Sequence, residues 1–103
     1  MNILCIGDIV GEAGRRALED LLPGIKEELQ IDFTIVNAEN AAGGSGLTPR
    51  IAEQLLRAGS DVLTLGDHVW DRPELVEYLN ETPNVIRPAN FPPGAPGKGC
   101  VWR

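Results

Sequence analysis

Residues 62–75 read VLTLGDHVWDRPEL: an apolar run stops at a glycine, gives way to an aspartate and the chain's single histidine, and then enters a polar–apolar pattern of helical period. Val62 to Leu65 has the length and composition of a buried strand. The same order recurs along the chain. Asn2 to Ile6 runs into Gly7-Asp8, Phe33 to Val36 leads to Glu39-Asn40, and the weaker Val85-Ile86 precedes Asn90 by a few residues. Each of the four runs reads as a strand buried on both faces, the pattern of a parallel sheet.

Helical segments separate these runs. Ala17, Leu18, Leu21, Leu22, Ile25 and Leu29 share one face of the first, with Pro23-Gly24 expected to break or restart it. Ile51, Leu55, Leu56 and Ala58 mark the second, which opens at Thr48-Pro49 and stops at Gly59. A third is expected to start at Asp71, with Glu74 three residues on in a capping-box arrangement. Strands alternating with helices imply right-handed crossovers, hence an α/β fold with a parallel sheet and flanking helices. Residues 1–103 form one domain in this reading. Its end, the Pro/Gly-rich linker FPPGAPGKG at 91–99 followed by Cys100-Val101-Trp102-Arg103, looks like the opening of a truncated strand, so the domain is expected to be incomplete.

Composition narrows the function. The 103 residues are 43% hydrophobic and 23% charged, within the range of a globular protein. A net charge of −6 argues against stable binding to duplex nucleic acid, which needs clustered Lys and Arg to displace counterions. Neither a basic leader nor an apolar run of bilayer length is present, so no membrane association is expected and the location is expected to be cytoplasmic. Cys5 and Cys100 show no zinc-ligand spacing and read as free thiols. An acidic protein that handles a phosphate needs positive charge from elsewhere, and metal cations collected by carboxylates are the usual source.

The polar residues after the strands make that specific. Asp8, Glu39, Asn40, Asp67, His68 and Asn90 all follow strand ends, and in a parallel sheet these positions line the carboxyl edge, where open α/β proteins build their sites. Singly, each has a plainer reading: Asp8 as a turn or cap residue, Glu39-Asn40 as a polar loop entry, His68 as a surface side chain. Together they supply the oxygen and imidazole ligands suited to Mn, Fe, Zn or Mg. The stretch GDIVGEAGR at 7–15 does not fit a dinucleotide fingerprint, because Ile9 occupies the place of the second glycine, and no Lys-Ser or Lys-Thr pair closes a P-loop. Gly7, Gly11 and Gly14 are expected to permit tight turning and close helix packing. Trp70 and Trp102 are expected to be buried or half-buried rather than to stack on a base.

Four ordered blocks, NILCIGDIVGEAGRRAL (2–18), VNAENAAGGSGLTP (36–49), LTLGDHVWDRPEL (63–75) and IRPANFPPGAPGKG (86–99), resemble the N-terminal part of the bacterial metallophosphoesterases of the YmdB type, cyclic-nucleotide 2′-phosphodiesterases. The resemblance covers essentially the whole chain. It implies the N-terminal half of a calcineurin-like αββα fold, two divalent cations (Fe, Mn or Mg) per complete site, and a small phosphodiester or cyclic nucleotide as substrate. By the same resemblance Asp8 binds one metal, Glu39 bridges two, Asn40 joins the first metal's shell and Asp67 meets the second. His68 faces the scissile phosphate as a proton donor, and Asn90 is expected at the substrate.

Two departures matter. The family has Gly-Asn-His where this chain has Gly66-Asp67-His68, which places a carboxylate at the second metal instead of a neutral amide. The family's remaining ligands are histidines of a C-terminal half, whereas this chain has one histidine in all. The fragment alone is therefore expected to be inactive, and it is expected to form a homo-oligomer or to pair with the missing half. Two other readings stay open: a non-catalytic, self-associating half-domain, and a nucleotide-binding Rossmann-like module.

Overall fold

A computed structural model describes residues 1–103. Strands β1 (Ile3–Ile6), β2 (Phe33–Asn37), β3 (Val62–Thr64) and β4 (Val85–Ile86) form one parallel sheet in the order β1-β2-β3-β4. Helices α1 (Gly11–Leu29) and α2 (Pro49–Arg57) provide the first two crossovers. A 3₁₀ turn (Asp67–Asp71) followed by α3 (Leu75–Glu81) provides the third. With consecutive strands adjacent and every crossover right-handed, all helices fall on the same face of the sheet.

That geometry corrects the expectation of strands buried on both faces. Thr34, Val36, Leu63 and Val85 point into the helical layer and are fully buried, among Leu22, Leu55, Leu75 and Leu79. Their neighbours Ile3, Cys5, Phe33 and Ile35 point the other way and keep solvent exposure. An apolar run predicts burial without saying what covers it, and this chain supplies helices for one face only.

The helices also differ from expectation in informative ways. α1 is continuous through Pro23-Gly24. Pro23 and Glu19, whose carbonyl loses its partner to the proline, lie on the exposed side, while Leu18 and Leu22 anchor the helix to the sheet on the other. α2 follows the sequence reading: the Thr48 hydroxyl accepts a hydrogen bond from the Ile51 amide at 3.2 Å, Pro49 occupies the first turn, and Gly59 takes φ +121° just past the end.

α3 does not start at Asp71, and no capping box forms. Pro73 forces Arg72 into an extended conformation (φ −123°, ψ 97°), which no helix can cross. Asp71 ends the 3₁₀ turn and accepts a hydrogen bond from the Ser45 hydroxyl, while Glu74 begins α3 without a side-chain cap.

The tail is not a strand either. The Arg87 amide donates to the Lys98 carbonyl (2.9 Å), and the buried Arg87 guanidinium donates to Pro96 and Pro88 carbonyls at 3.1 and 3.0 Å, pinning the Pro/Gly-rich segment. Residues 99–103 then run over the open sheet face, lining a groove of about 400 Å³ with Phe33, Ile35, Val62, Thr64 and Ile86 instead of pairing with a strand. Both cysteines are free. No helix is long and apolar enough to cross a membrane.

Candidate functional site

The carboxyl edge of the sheet gathers four of the expected residues. Asp8 leaves β1 with φ +25°, an uncommon backbone for a non-glycine residue, and its carboxylate accepts a hydrogen bond from Asn40 Nδ2 at 2.9 Å. Because the Asn40 amide directs its NH₂ to Asp8, its Oδ1 faces His68 Nδ1 at 2.5 Å. An amide oxygen only accepts, so Nδ1 carries the proton and Nε2 is left free. The same Nδ1 lies 3.9 Å from Glu39 Oε2, which closes a chain Asp8–Asn40–His68–Glu39 across the ends of β1, β2 and β3.

Local structure explains the convergence. Gly14 sits where a Cβ would meet Ile9 at 3.1 Å, so α1 packs tightly on the turn that carries Asp8. Gly11, at φ +58°, donates its amide to the Asn40 carbonyl and ties that turn to the second loop. Gly66 lets the Glu39 carboxylate lie against the backbone: a Cβ there would overlap that carboxylate and displace it. Gly7 meets no such constraint.

Asp67 and Asn90 follow β3 and β4 at the same edge but remain exposed and enter none of these contacts. Asn90 adjoins Phe91, whose ring stacks on Trp70 with centroids 5.8 Å apart, so the fourth loop is held beside the 3₁₀ turn. Neither tryptophan is buried. Trp70 is 43% exposed, with one ring face covered by Phe91, and Trp102 departs further from expectation at 92%.

Two residues at the site carried no signal in the sequence. Arg15 of α1 donates to the Ala41 carbonyl at 2.6 Å, and Arg72 donates to the carbonyls of Ala42 and Ser45 at 2.8 and 3.1 Å. Their partners are backbone atoms, which have no sequence pattern.

As a metal site the cluster is partial. No three His, Cys, Asp or Glu side chains converge on a common point. The donors present are carboxylate and amide oxygens with one imidazole and no thiolate, a set that fits a hard divalent cation.

The chain matches the family model described as YmdB-like protein over residues 4–103. It is 46% identical over 102 residues to the 2′,3′-cyclic-nucleotide 2′-phosphodiesterase of Bacillus subtilis (strain 168), an alignment that takes in 99% of this chain and 39% of that protein. The fold superposes on a crystal structure of a hypothetical protein from Thermus thermophilus with a TM-score of 0.89 and 46% identity, covering 96% of this chain and 38% of the other. A crystal structure described as a novel phosphatase, from Mycoplasma pneumoniae, gives the same TM-score at 34% identity, with 98% and 38% covered. The chain thus spans about two fifths of the length of each.

Proposed function

Since the chain belongs to the YmdB-like family, we propose that it forms the N-terminal portion of a phosphodiesterase site that uses divalent metals, acting on a cyclic nucleotide or a related small phosphodiester. The observation that carries this reading is the chain Asp8–Asn40–His68–Glu39 at the sheet's carboxyl edge. The name of the Bacillus relative supports the substrate class.

Asp8, Glu39 and Asn40 are the residues that would hold metal, with Asp67 at the rim. The Asn40 oxygen has a second lone pair left when His68 takes the first. Bound cations supply Lewis-acid stabilisation of the charge that builds on the phosphoryl oxygens. His68 moves the proton. Its Nδ1–H is held by Asn40, which fixes the ring and leaves Nε2 without a protein partner; in the imidazolium form Nε2–H would donate to the departing alkoxide oxygen, a contribution of roughly 10²- to 10⁴-fold. Asn90, exposed after β4 at the same edge, would hydrogen-bond a non-bridging oxygen or the substrate's sugar.

The donor set here is too small for a closed two-metal cage, so the rest of the site comes from outside these residues. The test is hydrolysis of 2′,3′-cyclic AMP and of a chromogenic phosphodiester with manganese. The chain is assayed alone and after mixing with the part of the Bacillus relative that lies beyond the matched region. Turnover is expected only in the mixture and should vanish with Asp8→Ala or His68→Ala. A mixture that binds manganese yet hydrolyses neither compound would rule out the phosphodiesterase reading.

A further inference from the structure

We propose that Arg72, assisted by Arg15, is a positioning residue that clamps the loop bearing Glu39 and Asn40 and sets its affinity for metal; this rests on the metal-dependent reading above. The loop from Ala38 to Leu47 folds back on itself through bonds from the Gly46 amide to the Glu39 carbonyl (2.6 Å), from the Ala42 amide to the Gly46 carbonyl (2.9 Å), and from the Gly44 amide to the Asn40 carbonyl (3.1 Å). Three carbonyls, those of Ala41, Ala42 and Ser45, accept from guanidinium groups, and that of Ala42 also accepts from the Ser45 amide at 3.2 Å.

Arg72 spans the loop. Its Nη2 and Nε grip Ala42 and Ser45 from one planar fork, a geometry that a lysine cannot reproduce. The loop is built to admit it. Gly46, at φ +79°, lies where a Cβ would meet Arg72 Cγ at 2.8 Å. Neither arginine has a carboxylate partner; the one close approach of a basic side chain to a carboxylate is His68 Nδ1 to Glu39 Oε2 at 3.9 Å. Two part-buried guanidinium groups devoted wholly to backbone carbonyls of one loop exceed what surface structure requires, and they fix the two side chains that loop carries.

Arg72 also follows His68 by four residues, across the 3₁₀ turn whose last residue, Asp71, accepts from Ser45. The turn and the loop are therefore joined at both ends, by His68–Asn40 at one and by Asp71–Ser45 with Arg72 at the other. Loosening the second joint frees the first.

The experiment titrates manganese into the wild-type chain, Arg72→Lys, Arg72→Ala and Arg15→Ala by calorimetry, with amide hydrogen exchange and thermal melting followed on each. Removing a group that orients ligands typically lowers metal affinity by roughly 10- to 100-fold. Arg72→Ala should fall in that range, with faster exchange at the amides of residues 42, 44 and 46 and unchanged exchange in α1 and β2. Arg72→Lys, which keeps the charge and loses the fork, should fall between wild type and alanine; it also carries the test if the alanine variant does not fold. Wild-type manganese affinity in folded Arg72→Lys and Arg72→Ala would overturn the proposal. Absence of manganese binding by the wild type would instead count against the metal-dependent reading, and exchange at residues 42, 44 and 46 would then decide the clamp by itself: unchanged rates in the Arg72 variants would refute it.

Discussion

Asp8 shows how a single residue can be set against the stability of the fold. Holding a non-glycine residue in the left-handed region costs of order 1 kcal/mol. The hydrogen bond that its carboxylate accepts from Asn40 contributes a similar net amount at an exposed site. Asp8→Gly relieves the first and forfeits the second, so its melting temperature should stay within a few degrees of wild type. Its manganese affinity should collapse. A calorimetric titration beside a thermal melt separates the two effects, and a large loss of stability with intact binding would show that Asp8 serves the fold. Asp67 makes the complementary case: exposed and engaged in no hydrogen bond, it brings a full negative charge to the rim. Asp67→Asn should weaken manganese binding several-fold through lost Coulomb attraction, with no change in melting. Tighter binding in that variant would contradict the assignment. These side chains were legible in the sequence because a parallel sheet collects whatever follows its strands. The hydrogen-bonded order among them was not, since it depends on which rotamer each loop permits.

Among the elements, the sheet and α2 could be read from period and caps, while the entry to α3 could not. The D-x-x-E spacing at Asp71 and Glu74 is a valid local cap signal, yet Pro73 extends Arg72 and turns the Asp71 carboxylate toward Ser45. α3 is instead secured laterally, through Tyr78, whose hydroxyl donates to Glu53 Oε1 of α2 at 2.6 Å. Burial, and then the Glu53 carboxylate beside it, push the Tyr78 phenol up to about 12 from its ordinary 10.0. The protonated phenol is favoured in the folded state, so its contribution to stability is complete below pH 10 and is lost as the pH rises from about 10 toward 12. Tyr78 is the only tyrosine, so absorbance at about 295 nm, where tyrosinate absorbs, follows it without ambiguity. Ionisation should lag that of free tyrosine, and Tyr78→Phe should flatten the fall in melting temperature across that window. A titration at the ordinary value would mean that α2 and α3 are not joined through this bond.

At the scale of the whole molecule, the governing fact is that one face of the sheet has no helical cover. A four-strand parallel sheet with all crossovers on one side leaves Ile3, Phe33, Ile35, Val62 and Ile86 facing away from the core, with only residues 99–103 lying over part of them. Apolar surface contributes about 25 cal/mol for each Å² removed from water, so a partner that covers this face gains from it directly. For the chain in isolation, the available partner is a second copy. The net charge of −6 on each copy opposes that association, and salt screens the repulsion while leaving the apolar gain intact. Self-association should therefore strengthen as ionic strength rises, the reverse of what an interface held by ion pairs would do. Light scattering across a concentration series, at low and at moderate salt, measures it. Ile35 lies on the second strand of that face, and Ile35→Glu should shift the population to monomer without altering manganese affinity, because the site occupies the strand ends rather than the face. A chain that stays monomeric at every concentration and salt level would show that residues 99–103 already suffice as cover, and the open face would then have no bearing on assembly.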